Sequence, residues 1–301
     1  MSMIVSASPH IHAKISTKRI MLDVIIALCP ALVAATVIFG LRTLLLTAVS
    51  AAACVFFEWG FSKICGTKST ICDLSAVVTG ILLAYNVPVS LPIWQLIFGD
   101  LVAIVAIKML FGGIGKNFAN PAITARIVLF LAFSSSMTGW VHPDGVSTAT
   151  PLAMMRAGES PELLNLLLGY HGGCIGETCA VALLLGFVYL MIRGVITWHT
   201  PVCFVGTVFV LSFVFGQDAV RQILSGGLML GAIFMATDYA TTPSTKAGRA
   251  IFGVGAGILT VLIRFFGSYA EGVSFAILFM NILTPYISKW TRTKPFGGVK
   301  A

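Results

Sequence analysis

Ten apolar runs, each fourteen to twenty-one residues long, divide this chain, and most of its charged residues lie between them or at their ends. They fall near 20–39, 43–60, 74–87, 93–111, 123–139, 178–198, 201–216, 222–237, 249–266 and 271–288. A helix needs about 20 largely apolar residues to cross the hydrocarbon core, where every backbone polar group must pair within its own segment. Hydrophobic residues make up 57% of the chain and charged ones 10%, against about 25% charged in a soluble domain. So few charges leave the chain unable to cover its own surface in water, which excludes a soluble enzyme. Lys14, Lys18 and Arg19 resemble the basic start of a signal peptide. The run that follows is too long for one and reads as a retained helix.

The formal charge of +8 invites a nucleic-acid reading, but the basic residues form no patch. With the N-terminus inside, the inner face holds Lys14, Lys18, Arg19, Lys63, Lys68, Lys108, Lys116, Arg126, Arg193, Lys246, Arg249, Lys289, Arg292, Lys294 and Lys300. The outer face holds only Arg42, Arg156, Arg221 and Arg264. Such a bias sets both termini in the cytoplasm and the longest loop, 140–177, outside. The seven cysteines form no C-x-x-C pair and read as small buried hydrophobes. Cys174 and Cys179 can form a disulfide if their loop faces an oxidising space. The five histidines show no metal-site spacing, and no metal is expected.

Two segments match in spacing. Pro88, Ile97-Phe98-Gly99 and Phe111-Gly112 parallel Pro243, Ile251-Phe252-Gly253 and Phe266-Gly267, with 23 residues from proline to final phenylalanine in each. Each follows a short apolar segment ending in helix-breaking residues, Asn86-Val87-Pro88 and Thr237-Asp238-Tyr239. These are the third and eighth spans, so the halves run in opposite senses. The pattern predicts an all-α membrane protein of ten helices in two inverted five-helix repeats, with a site between the halves.

Three stretches carry candidate chemistry. The outer loop reads Asp144-Gly145-Val146-Ser147-Thr148-Ala149-Thr150-Pro151, either a plain Ser/Thr turn or a place where a hydroxyl forms an ester. The inner loop from Gly112 to Pro121 holds Lys116, Asn117 and Asn120. It is a tight connector or a phosphate contact, and its glycine spacing is not that of a P-loop. Charges within spans are costly and tend to be functional. Asp100 and Asp238 are therefore read either as charge relays or as structural hydrogen-bond partners. Asp23, Glu58, Asp73, Asp218 and Glu271 lie near span ends, where capping or headgroup contact accounts for them.

The string DGVSTATP, with GGIGKNFANPAITAR at 112–126, FMATDYATTPST at 234–245 and SPHIHAKISTKRIMLDVIIALCPAL at 8–32, resembles the NqrB/RnfD family over nearly the whole chain. That family comprises the RnfD component of the Rnf complex and the related NqrB component of sodium-pumping NADH:quinone oxidoreductase. The resemblance implies a urea-transporter-like fold. It also implies FMN held by a phosphoester to Thr150, with Asp144, Ser147, Thr148 and Ala149 as motif contacts. The family commonly has glycine where Thr148 stands. That adds a second hydroxyl, but Ala149-Thr150-Pro151 keeps the motif's end. Riboflavin or another second flavin, held without a covalent bond, is implied among the helices, with Lys116, Asn117, Asn120, Arg126, Thr237 and Asp238 as its candidate inter-repeat residues.

The length favours the Rnf member. The implied role is a membrane subunit, not catalytic alone, of a ferredoxin:NAD+ oxidoreductase that moves Na+ or H+. The sequence shows no dinucleotide-binding glycine fingerprint and no iron–sulfur cysteine set, so partner Rnf subunits, membrane and peripheral, handle ferredoxin and NAD. A flavin transferase outside the inner membrane would attach the FMN. The organisation implied is a cytoplasmic segment 1–19, a first repeat 20–139, an extracytoplasmic loop 140–177 with the flavinylation motif, a second repeat 178–288 and a cytoplasmic tail 289–301. The competing readings are the quinone-reducing relative and a flavin-free channel for a small polar solute.

Overall fold

The computed structural model of the chain describes residues 16–67, 70–144, 149–267 and 271–292, so Ser147 and Thr148 lie outside the described residues. These fold into helices with no strand. In chain order they are α1 (Thr17–Phe39), α2 (Leu41–Ile64), α3 (Ser75–Tyr85), α4 (Ile93–Leu101, continued as a π-helix over Val102–Met109) and α5 (Pro121–Ala132). Three short helices follow in the long loop: α6 (Ser134–Met137), α7 (Pro151–Arg156) and α8 (Leu163–Leu168). The rest are α9 (Ala180–Ile192), α10 (His199–Val214), α11 (Ala219–Leu224), α12 (Leu228–Leu230, continued as a π-helix over Gly231–Met235), α13 (Lys246–Phe266) and α14 (Val273–Trp290). By length and composition α1, α2 and α13 can cross a bilayer unaided, and α3, α5, α9 and α10 are shorter apolar helices. The chain is a multi-pass membrane protein.

Local chemistry sets several helix ends. Asn120 accepts from the backbone N–H groups of Ala122 and Ile123, and Pro121 fills the first position of α5, where no N–H is needed. α5 therefore starts at 121 and, broken at Phe133, stops at Ala132, short of the expected 139. α9 ends at Ile192 because Arg193-Gly194 turns the chain there, not at 198. The span expected at 222–237 is not one helix. Ser225 is extended and Gly226 has φ +67°, a left-handed conformation that favours glycine, so the helix breaks between α11 and α12.

Without a hydrophobic effect between lipid-facing surfaces, helices associate through close backbone approach and polar contacts. Gly80 on α3 provides the first: a Cβ there would lie 2.8 Å from the backbone of Ser50 and Ala51 on α2. Buried charges provide the second, and here the structure corrects the expectation from sequence. Asp23, expected to meet headgroups, is buried and bonded to Tyr189 and Arg193 on and after α9. Glu58 is fully buried against Lys108, and Glu271 pairs with Arg126. Lys108, Arg126 and Arg264 count as surface charges in the sidedness tally, yet all three are buried. Asp218 does cap its helix, accepting from the N–H groups of Val220 and Arg221. Cys174 and Cys179 are free thiols bonded to different partners, not a disulfide.

Candidate functional site

Four of the expected inter-repeat residues come together. Asn117, Asn120, Thr237 and Asp238 line one cavity of about 110 Å³, with Lys108 and Phe234. α5 positions Asn120, whose amide donates to the carbonyl of Met235, and the π-helix end positions Thr237. Asp238 accepts from Ala240 N–H and the Thr241 hydroxyl just beyond it. Asn117 Oδ1 is buried and without a partner, so the cavity suits a small polar ligand or water. Sites for larger organic ligands run to about 300–1,000 Å³; a second flavin does not fit this cavity as it stands. Lys116 is exposed beside it, and Asp100 lies elsewhere. Asp100 Oδ1 accepts from Ser50 Oγ at 2.6 Å and Cys54 Sγ at 3.3 Å, while its Oδ2 has no partner.

Thr150 stands at the start of α7. Its hydroxyl accepts from Ala153 N–H at 3.3 Å, and only 6% of the residue is exposed. Asp144 is exposed and pairs with His142, and Ala149 is exposed. The first N–H groups of a helix lack partners within it and suit an anion, so a phosphoester on Thr150 fits that end of α7. The same helix contributes Leu152, Met155 and Arg156 to a cavity of about 480 Å³, closed by Phe215, Gln222 and Phe266. Its aromatic walls and guanidinium suit a flat ring system carrying negative charge.

Arg126 joins neither place. Its Nε donates to the Asn86 carbonyl at 3.0 Å, and its Nη groups reach Ser274, Glu271 and, at 3.6 Å, Cys174 Sγ. It thus ties off the free carbonyl where α3 breaks, which lipid could not do. Arg264 serves the second break, donating to the carbonyls of Gln222 at 2.6 Å and Ser225 at 3.0 Å. Glu177, from the loop before α9, packs among these groups with 4% exposure and accepts from Cys174 N–H. Burial and the nearby Glu271 carboxylate push Glu177 well above the usual carboxylate range. Sequence alone leaves Glu177 in an outer loop. Arg126, a charge inside an apolar run, is the signal that buried acidic partners have to exist.

A bundle of apolar helices around buried polar networks, with broken helices tied off by arginines and a capping threonine beside an aromatic cavity, defines an integral membrane protein of the transporter or redox-complex class. Similarity to known proteins gives the family. The chain matches the model of the NQR2, RnfD, RnfE family over residues 4–297 and belongs to that family. It is 44% identical to the RnfD-type member of the Na(+)-translocating ferredoxin:NAD(+) oxidoreductase complex of Acetobacterium woodii, over 100% of this chain and 97% of that one. It is 38% identical to the corresponding member of the proton-translocating ferredoxin:NAD(+) oxidoreductase complex of Clostridium ljungdahlii, covering 97% and 96%. It is 35% identical to that of an ion-translocating oxidoreductase complex of Halorhodospira halophila, covering 97% and 94%.

Proposed function

We propose that this chain is the RnfD component of an ion-translocating ferredoxin:NAD+ oxidoreductase, acting in a membrane complex with other Rnf subunits. The observation that carries it is the 44% identity to a subunit of that activity along the entire chain. We further infer that Thr150 bears FMN through a phosphoester, installed by a flavin transferase. The position of Thr150 at the start of α7, next to the aromatic cavity, supports this. When bound there, the flavin would supply electron transfer. The chain's own residues would do the rest. The first turn of α7 would hold the phosphate through backbone N–H groups, Phe215 and Phe266 would exclude water from the ring, and Arg156 would place positive charge beside it.

The architecture in this reading is ten spans in two inverted repeats. Its support is that α1 packs on α9 and α5 on α14, as corresponding helices do across a two-fold axis, and that both short third helices end in breaks. The inner-membrane orientation keeps both termini in the cytoplasm and Thr150 outside. Removing buried Lys108 and Arg126 from the fifteen inner charges leaves thirteen, and removing buried Arg264 from the four outer ones leaves three. The bias therefore survives. Asp100, buried with one oxygen unpartnered, and Asp238, lining the inner cavity, are the candidate charge relays.

A denaturing gel of the purified complex, viewed under ultraviolet light, tests the flavin. A fluorescent band for this chain that disappears in Thr150→Ala and remains in Thr148→Ala supports the assignment. A dark wild-type band from cells with active transferase overturns it and favours a flavin-free transporter.

A further inference from the structure

The network around Arg126 has more carboxylate than its guanidinium can serve. Carboxylate oxygens of Glu177 and Glu271 and the sulfur of Cys174 all lie within 4.8 Å of one another. Arg126 is committed to Glu271, Asn86 and Ser274, and Arg264 to the carbonyls of Gln222 and Ser225. Each carboxylate is left with one buried oxygen without a partner among the described residues, Oε2 of Glu177 and Oε1 of Glu271. The other oxygen of Glu177, Oε1, accepts from Cys174 N–H at 2.9 Å. The Oε2 atom faces Gly227 closely enough that a Cβ there would come within 2.9 Å.

Two ionised carboxylates in such proximity repel, and an unpaired buried charge costs more than almost any other defect. One added proton removes both problems: it cancels the excess charge and gives one acid a donor for the other's free oxygen. A metal cation would meet the guanidiniums of Arg126 and Arg264 instead. We propose that Glu177 and Glu271 share one proton, forming a proton-binding site between α5, α14 and the loop before α9. The charged and titratable groups facing it are Arg126, Arg264, Cys174 and His171. The proton comes from water and no covalent bond is made or broken. The site stands apart from Thr150, so its test does not depend on the flavin.

The test is infrared difference spectroscopy of the purified complex in lipid, stepped in pH with Na+ held constant. Wild type is expected to show a protonated-carboxyl stretch at pH 7 that shifts in D2O and is missing in Glu177→Gln. Half-protonation is expected at a proton concentration at least about tenfold below that of a free glutamate. Thermal stability of Glu177→Gln at pH 7 should match wild type, since the amide is isosteric with the neutral acid. Identical spectra for wild type and Glu177→Gln would overturn the proposal. So would a stretch that appears only when Na+ is withdrawn, which would mean a metal cation occupies the pair. Should Glu177→Gln not assemble, wild-type complex with 13C-carboxyl glutamate gives the same reading. An isotope-shifted protonated stretch at pH 7 supports the site, and none at pH 7 overturns it.

Discussion

Lys108 on α4 reaches Glu58 on α2 with Nζ 2.6 Å from Oε2, and both side chains are shut away from the surface. The same ammonium donates to Ser75 Oγ at the start of α3, so one cation joins three helices. Removing one partner of such a pair leaves an uncompensated buried charge, at a cost of about 3–5 kcal/mol, whereas replacing both with neutral groups of similar volume is nearly neutral. Lys108→Met is expected to lower the yield of folded, monodisperse protein sharply. The double variant Lys108→Met with Glu58→Gln should recover most of it. Thermal unfolding of the purified variants by fluorescence decides: if both single and double variants lose equally, the pair is not the source of the loss.

Close backbone approach between α2 and α3 carries a second expectation. Ser50 Oγ donates to the Gly80 carbonyl at 2.8 Å and to Asp100 at 2.6 Å. Any side chain at Gly80 would strike the backbone of Ser50 and Ala51, and forced overpacking of this kind costs about 1–3 kcal/mol. Gly80→Val should therefore destabilise the protein and disturb Asp100 as well. A Gly60→Ala control, where a Cβ meets nothing within 4 Å, should leave the midpoint of thermal unfolding unchanged.

What a single sequence can reveal of this bundle depends on what each residue's signal can carry. Apolar run length locates the helices, and Asn120-Pro121 marks a start through local backbone chemistry alone. Depth in the membrane is legible; azimuth around the bundle is not. Glu58 and Lys108 are 50 residues apart, and Asp23 and Arg193 are 170 apart. Only packing decides that these charges meet, so sequence alone places the acids at span ends among headgroups. The break at Ser225-Gly226 is hidden for another reason: its glycines sit in an uninterrupted apolar run, and the arginine that ties it off comes from α13. Among the expected inter-repeat residues, Arg126 parts from Asn120 because they stand six positions apart on and before one helix and face different neighbours.

His171, in the loop before α9, gives a pH expectation. Burial holds its imidazole below the ordinary value of 6.5. A base whose folded pKa is depressed resists protonation in the native state more than in the unfolded one. Its contribution is therefore complete above pH 6.5 and is lost as pH falls below that value. Thermal stability of wild type is expected to drop between about pH 6.5 and pH 5, and His171→Gln should flatten that part of the profile. A profile unchanged by the substitution would assign the acid loss to other groups.

Thr150 does two separable jobs in this reading, and three substitutions divide them. Its hydroxyl caps α7 through Ala153 N–H, and losing such a cap costs about 1 kcal/mol. Thr150→Ala removes both the cap and the atom to be esterified, so stability falls slightly and in-gel flavin fluorescence vanishes. Thr150→Asp restores a capping oxygen but offers no hydroxyl, so stability should return while the band stays dark. Thr150→Ser keeps a hydroxyl at the same position, and both readouts should stay near wild type unless the transferase requires the methyl group. A fluorescent Thr150→Asp chain would move the attachment elsewhere, with Thr148 the nearest remaining hydroxyl. Because the cap is read by thermal unfolding and the ester by fluorescence, a folding defect in any variant is distinguishable from loss of the flavin.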